Sequence, residues 1–99
     1  MIRDPRKVKQ NLLRKGFIEV QKTRHIYYIF VYEGKRQSIQ TFMSRNDQDL
    51  YDNLLSDMKN QLKLDKTRDF LGLIDCPLSE EDYIKILLSK NLIEESEEE

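Results

Sequence analysis

The sequence predicts an α+β fold: a helix-strand-strand-strand-helix core whose three-stranded antiparallel sheet carries both helices on one face, followed by a C-terminal helical extension. Three observations predict it. Residues 16–43, GFIEVQKTRHIYYIFVYEGKRQSIQTFM, break into three short runs of strand composition separated by a polar link and a glycine turn. A capped amphipathic pattern, DPRKVKQNLLRKG, precedes them. Another follows from Asp49 to Leu64, where Leu50, Leu54, Met58 and Leu62 repeat every fourth residue.

Asp4 offers a side-chain cap for the first helix and Pro5 suits its first position, while Gly16 can adopt the left-handed conformation that ends it. Val8, Leu12 and Leu13 form its apolar stripe, leaving Lys7, Lys9, Arg14 and Lys15 for the outer surface. The first strand is expected over Phe17 to Gln21 and the second over His25 to Tyr32, with Lys22 to Arg24 as a short hairpin link or a bulge. Alternation along the second strand separates His25, Tyr27, Ile29 and Val31 from Ile26, Tyr28, Phe30 and Tyr32. The more aromatic set is assigned to the core, which leaves His25 and Tyr27 together on the opposite face. Gly34 supplies the positive φ of a tight turn, and Gln37 to Met43 forms the third strand, with Ile39, Thr41 and Met43 on one side and Ser38, Gln40 and Phe42 on the other. Ser44 to Asp47 is a polar link with several caps to offer the second major helix.

Beyond it, Thr67 to Ile74 reads as a short helix or turn, and Ser79 with Asp82 resembles a capping box that opens a helix with a broad apolar surface: Tyr83, Ile84, Ile86, Leu87, Leu88 and Leu92. That surface must pack on the core or meet another subunit. Residues 1–92 are therefore read as one domain, core 5–64 and helical extension 65–92, with 93–99 an acidic disordered tail.

Charge is divided unevenly. Residues 1–45 hold eleven Lys or Arg against three acids, and residues 46–99 hold six against fifteen, so a net charge of -1 hides a basic half suited to a polyanion. The single cysteine, Cys76, excludes an internal disulfide framework and is read as a partly buried small apolar residue before Pro77. No apolar run is long enough to span a bilayer and the N-terminus has no signal-peptide core, so the expectation is a soluble, cytoplasmic protein without membrane partners.

His25 is the only histidine, so acid-base chemistry through imidazole must use it. Such a group can take the 2'-hydroxyl proton of RNA or protonate a departing 5'-oxygen while neighbouring cations hold the phosphate. Isolated glycines exclude a phosphate-binding P-loop, and no metal-ligand spacing or serine triad is present, so no cofactor or metal is expected. Lys22, Arg24, Lys35, Arg36 and Arg45 are expected at strand ends and loops as an RNA-binding set, with Tyr27, Tyr28 or Tyr32 as a stacking surface. A surface histidine among charged neighbours, without chemistry, accounts for the same residues.

Residues 5–64 resemble the HicA family of toxin ribonucleases. The likeness rests on the helix VKQNLLRKGF at 8–17, the histidine heading the second strand in TRHIYYIF at 23–30, the Gly34 turn, QSIQTFM at 37–43, and a leucine-rich helix after it. The resemblance implies a double-stranded-RNA-binding-domain-like fold, metal-independent cleavage of messenger RNA as an endoribonuclease of a toxin-antitoxin system, an antitoxin protein partner, and a catalytic role for His25. Thr23-Arg24 stands where that family has a small Gly-Ser pair, and the acidic C-terminal third has no counterpart there. Two arrangements of this extension remain open. It completes the core or forms a homodimer and leaves His25 accessible, or it covers the basic face and makes the protein a non-catalytic interaction or oligomerisation module.

Overall fold

Helix α1 (Pro5–Leu13) starts where the sequence predicts: the Asp4 carboxylate accepts the Arg6 backbone N–H at 2.9 Å, and this bond and the Arg6 side chain hold the Asp4 carboxyl below its usual range. The computed structural model describes residues 2–45, 48–75 and 77–94. Cys76, part of the polar link (Asn46 and Asp47) and the end of the acidic tail (95–99) lie outside the described residues. Val8 and Leu12 are buried, but Leu13 is exposed, so the α1 stripe is narrower than expected. Gly16 has φ +90° and its carbonyl accepts the Val31 N–H at 2.9 Å. A Cβ there would stand 2.9 Å from Glu80 Oε2 and 3.2 Å from the Phe30 ring. Gly16→Ala is therefore expected to lower unfolding stability by about 2 kcal/mol, measured as a reduced urea midpoint at unchanged slope.

Three antiparallel strands follow, β1 (Phe17–Gln21), β2 (His25–Tyr32) and β3 (Lys35–Ser44), in the order β1-β2-β3. Lys22 N–H donates to the His25 carbonyl at 2.9 Å, which makes the first link a tight hairpin rather than a bulge. At the second, both loop residues have positive φ, Glu33 at 52° and Gly34 at 75°, as a type I' turn requires. β3 is longer than predicted because Lys35 and Arg36 pair with Tyr32 and Val31, beyond an irregularity in register between Ile29 and Val31. Phe17, Tyr28, Phe30, Ile39, Thr41 and Met43 are buried, so the aromatic set of β2 does face the core. Glu19 is accommodated on that side because Lys9 reaches it at 2.9 Å and the Tyr28 hydroxyl donates to it at 3.2 Å; these contacts, Lys9 foremost, hold its carboxyl below the usual range.

Helix α2 (Asp52–Gln61) begins three residues later than expected, after a backbone bridge between Arg3 and Leu50, and Tyr51 caps it without a side-chain bond. Tyr51 rather than a residue of the polar link stands at the cap position, and Ser44 belongs to β3. The fourth-residue repeat holds as core at Leu50, Met58 and Leu62, all buried, and fails at Leu54, which is 51% exposed while its neighbour Leu55 is buried. Each four-residue step overshoots a full turn by about 40°, so a strict repeat drifts off the contact line that mixed three- and four-residue steps follow.

Helix α3 (Thr67–Asp75) buries Phe70, Leu73 and Ile74 against the same core. Its carbonyl end is satisfied by α1 and the turn behind it. Asn11 Nδ2 donates to the Ile74 carbonyl at 2.6 Å, and Lys15 Nζ donates to the carbonyls of Gly72 at 3.2 Å and Leu73 at 2.6 Å. Lys15 is thus buried rather than on the outer surface, because its ammonium suits the negative end of a helix packed alongside. Arg3 adds a two-bond contact to the Asp75 carboxylate at 2.8 and 2.9 Å.

Helix α4 (Glu80–Ser89) opens on the predicted cap, with Ser79 Oγ accepting the Asp82 N–H at 3.1 Å. Tyr83 and Leu87 are buried, and Ile84, Ile86 and Leu88 pack around them. Ile93 is 4% exposed, so the core extends one residue past the point where the acidic tail was expected to begin. The overall arrangement is an α+β fold with a helix-strand-strand-strand-helix core and a three-stranded antiparallel sheet flanked by helices. No helix among the described residues is long and apolar enough to cross a membrane.

Candidate functional site

The tight hairpin at Thr23 and Arg24 fixes His25 as the first residue of β2, where it pairs with Ser44 across the β2-β3 ladder. In the same ladder Tyr27 pairs with Phe42, and alternation sends these side chains to the face opposite the core. The His25 ring meets Phe42 edge-on at 4.9 Å between centroids, Tyr27 lies 5.3 Å from Phe42, and His25 stands 6.5 Å from Tyr27. These separations are those of mutually packed rings. His25 and Tyr27 are half-buried by this packing, and Phe42 is exposed. An aromatic platform therefore lies at one end of the sheet, on a face that also presents Ile18, Val20, Ile29 and Val31 as half-buried residues.

Cations gather at the same end. Arg45, directly after β3, donates from Nε to the Lys22 carbonyl at 3.0 Å and from a terminal nitrogen to Gln21 Oε1 at 3.4 Å, so it crosses beneath the β1-β2 hairpin. The exposed side chains of Lys22 and Arg24 make no hydrogen bond or ion pair among the described residues. Lys22, Arg24, His25, Tyr27 and Arg45 thus lie at one end of the sheet. Lys35 and Arg36 do not join it: they begin β3 at the far hairpin, about 20 Å away by the rise of β2. Tyr28 is buried and cannot stack on a ligand, and Tyr32 packs against the core.

Phe42 is the residue that sequence reasoning missed. Its alternation was readable, but only the register, Tyr27 opposite Phe42, brings it onto His25. Beside these rings runs a groove of about 170 Å³ between the end of β3 and α2, lined by His25 and by the apolar side chains of Pro5, Phe42, Met43, Leu50, Leu54 and Met58. Its polar lining includes Ser44, Gln48, Asp57 and Gln61. Among the described residues there is no group of three or more histidines, cysteines or acids arranged to hold a metal ion. The C-terminal helix lies away from this cluster: the Tyr83 ring sits 5.8 Å from Phe17 and 5.1 Å from Phe30, on the core side of the sheet. No protein-family model, no curated protein sequence and no solved structure matches the chain.

Proposed function

We propose that the protein is an RNA-binding module similar to the HicA ribonucleases, with its RNA interface at the His25 end of the sheet and metal-independent cleavage as its activity. The observation that carries this reading is the coincidence of three rings, His25, Tyr27 and Phe42, with the cations Lys22, Arg24 and Arg45 at one sheet end. Single-stranded RNA needs that pairing: aromatic faces for unstacked bases and positive charge for the backbone between them. In the reaction, the His25 imidazole accepts the 2'-hydroxyl proton as that oxygen attacks the adjacent phosphorus. The bond to the 5'-oxygen breaks, the leaving oxygen takes a proton from solvent water, His25 returns its own to solvent, and the products are a 2',3'-cyclic phosphate and a 5'-hydroxyl end. Lys22 and Arg24, at the same sheet end, stabilise the charge gathering on the phosphate in this reading. A double-stranded-RNA-binding-domain-like architecture with both helices on one sheet face, and a protein antitoxin that masks the His25 face, belong to the same reading. The docking of α4 through buried Tyr83 and Leu87 favours it over a module whose basic face is covered by its own C-terminal helices.

Binding of an uncleavable 2'-O-methyl single-stranded RNA, followed by fluorescence anisotropy across a salt series, tests the interface. Replacing Lys22 and Arg24 by Gln is expected to reduce the slope of log affinity against log salt by about 1.4, two phosphate contacts' worth. The same change at Lys35 and Arg36 is expected to leave that slope unaltered. Absence of binding by the wild type, or equal losses from both pairs, overturns the placement.

A further inference from the structure

The groove beside His25 has a polar lining that its apolar floor does not require. Thr41 is fully buried, and its hydroxyl donates to Gln61 Oε1 at 2.7 Å. That bond occupies the amide oxygen of Gln61 and leaves Nε2 as the group with donor capacity to spare. Asp57 lies one turn earlier on α2 and lines the same groove; its carboxylate, which makes no hydrogen bond or ion pair among the described residues, can only accept. Donor and acceptor therefore stand one helical turn apart over a floor of Leu50, Leu54 and Met58, with the Phe42 ring at the side.

We propose that this groove is a nucleobase site, and that it selects adenine and cytosine over uracil. The inference rests on the RNA reading above and adds to it which bases the His25 end prefers. A flat ring system suits an apolar slot walled by an aromatic side chain, and a single-stranded nucleotide can turn its Watson–Crick edge to the wall. Adenine and cytosine each present an amino donor next to a ring-nitrogen acceptor. The amine donates to the Asp57 carboxylate in a charge-assisted bond while Gln61 Nε2 donates to the ring nitrogen. Uracil can offer the carboxylate only its one N–H, and the carbonyl oxygens on both sides of that group repel the carboxylate and weaken the bond. The backbone next to the seated base runs past His25, which lines the groove, toward Lys22 and Arg24, which separates the base contacts from the phosphate contacts.

Uncleavable 2'-O-methyl homo-oligomers of A, C and U distinguish the outcomes, with C against U the informative pair because both are single rings. The wild type is expected to bind oligo(C) and oligo(A) about tenfold tighter than oligo(U), the worth of one good base-edge pairing. Asp57→Asn, at an exposed helix position, is expected to bring C and U within about twofold, because an amide can also donate to a uracil carbonyl. Leu54→Glu, at a half-exposed position lining the groove, is expected to weaken oligo(C) about tenfold while the melting temperature holds. Equal, salt-dependent binding of all three oligomers, or a C preference that survives Asp57→Asn, overturns the base site and leaves the RNA interface standing. No binding of any oligomer at low salt overturns both.

Discussion

Tyr83→Ala is expected to lower the unfolding free energy by about 3–5 kcal/mol, a large share of the stability of a domain this size. Tyr83 is fully buried, and its ring is stacked on Phe17 at 5.8 Å and edge-on to Phe30 at 5.1 Å, so it joins the C-terminal helix to β1 and β2 at once. Its hydroxyl donates to the Leu62 carbonyl at 2.8 Å, at the end of α2, and burial pushes the phenol's pKa up, so it remains a neutral donor. Removing the ring deletes the contact between three elements and leaves that carbonyl without its bond. Tyr83→Phe separates the two contributions. It keeps the ring and removes only the donor, and a loss of about 1–2 kcal/mol is expected. Urea unfolding of both variants, with a single transition by fluorescence and by circular dichroism, provides the measurement. A Tyr83→Ala loss below about 1 kcal/mol would mean that α4 is not part of the cooperative core.

Local patterns carried much of this fold. The Asp4 and Ser79 caps, the Gly34 turn and the inward aromatic set of β2 were all legible, because each depends on neighbours a few residues away. The failures share a different cause. Lys15 reads as a surface cation until α3 is placed against α1, when its ammonium meets two carbonyls 57 and 58 residues distant. Leu54 reads as core until the helix start and the contact line of α2 are known, and only then does Leu55 take its place. At the candidate site the same division holds. His25 and Tyr27 share a face by strand period alone, whereas Phe42 reaches them through register and Arg45 through a bond to the Lys22 carbonyl. Lys35 and Arg36 were grouped with Lys22 and Arg24 by charge, and the length of β2 separates them.

His25→Ala is expected to slow cleavage of single-stranded RNA by about 10²–10⁴-fold in the presence of a chelator, the range for loss of a positioned acid-base group. No other histidine exists in the chain to substitute for it. The side chain is half-buried by ring contacts with Phe42 and Tyr27 and makes no hydrogen bond among the described residues, so its removal should cost about 1 kcal/mol of stability or less. Affinity for a 2'-O-methyl RNA should fall by about tenfold at most, the loss of one stacking ring, since Tyr27, Phe42, Lys22 and Arg24 remain. The expected pattern is therefore a rate effect without matching losses in folding or binding, which a positioning or packing role alone would not produce. A substrate with a single 2'-deoxy nucleotide at the cleaved linkage supplies the chemical control: with no hydroxyl to deprotonate, wild type and variant should leave it equally intact. Equal cleavage of the all-ribose substrate by both proteins, or cleavage by neither, removes the catalytic role. Salt-sensitive binding that survives in that case identifies the His25 end as an RNA platform without chemistry.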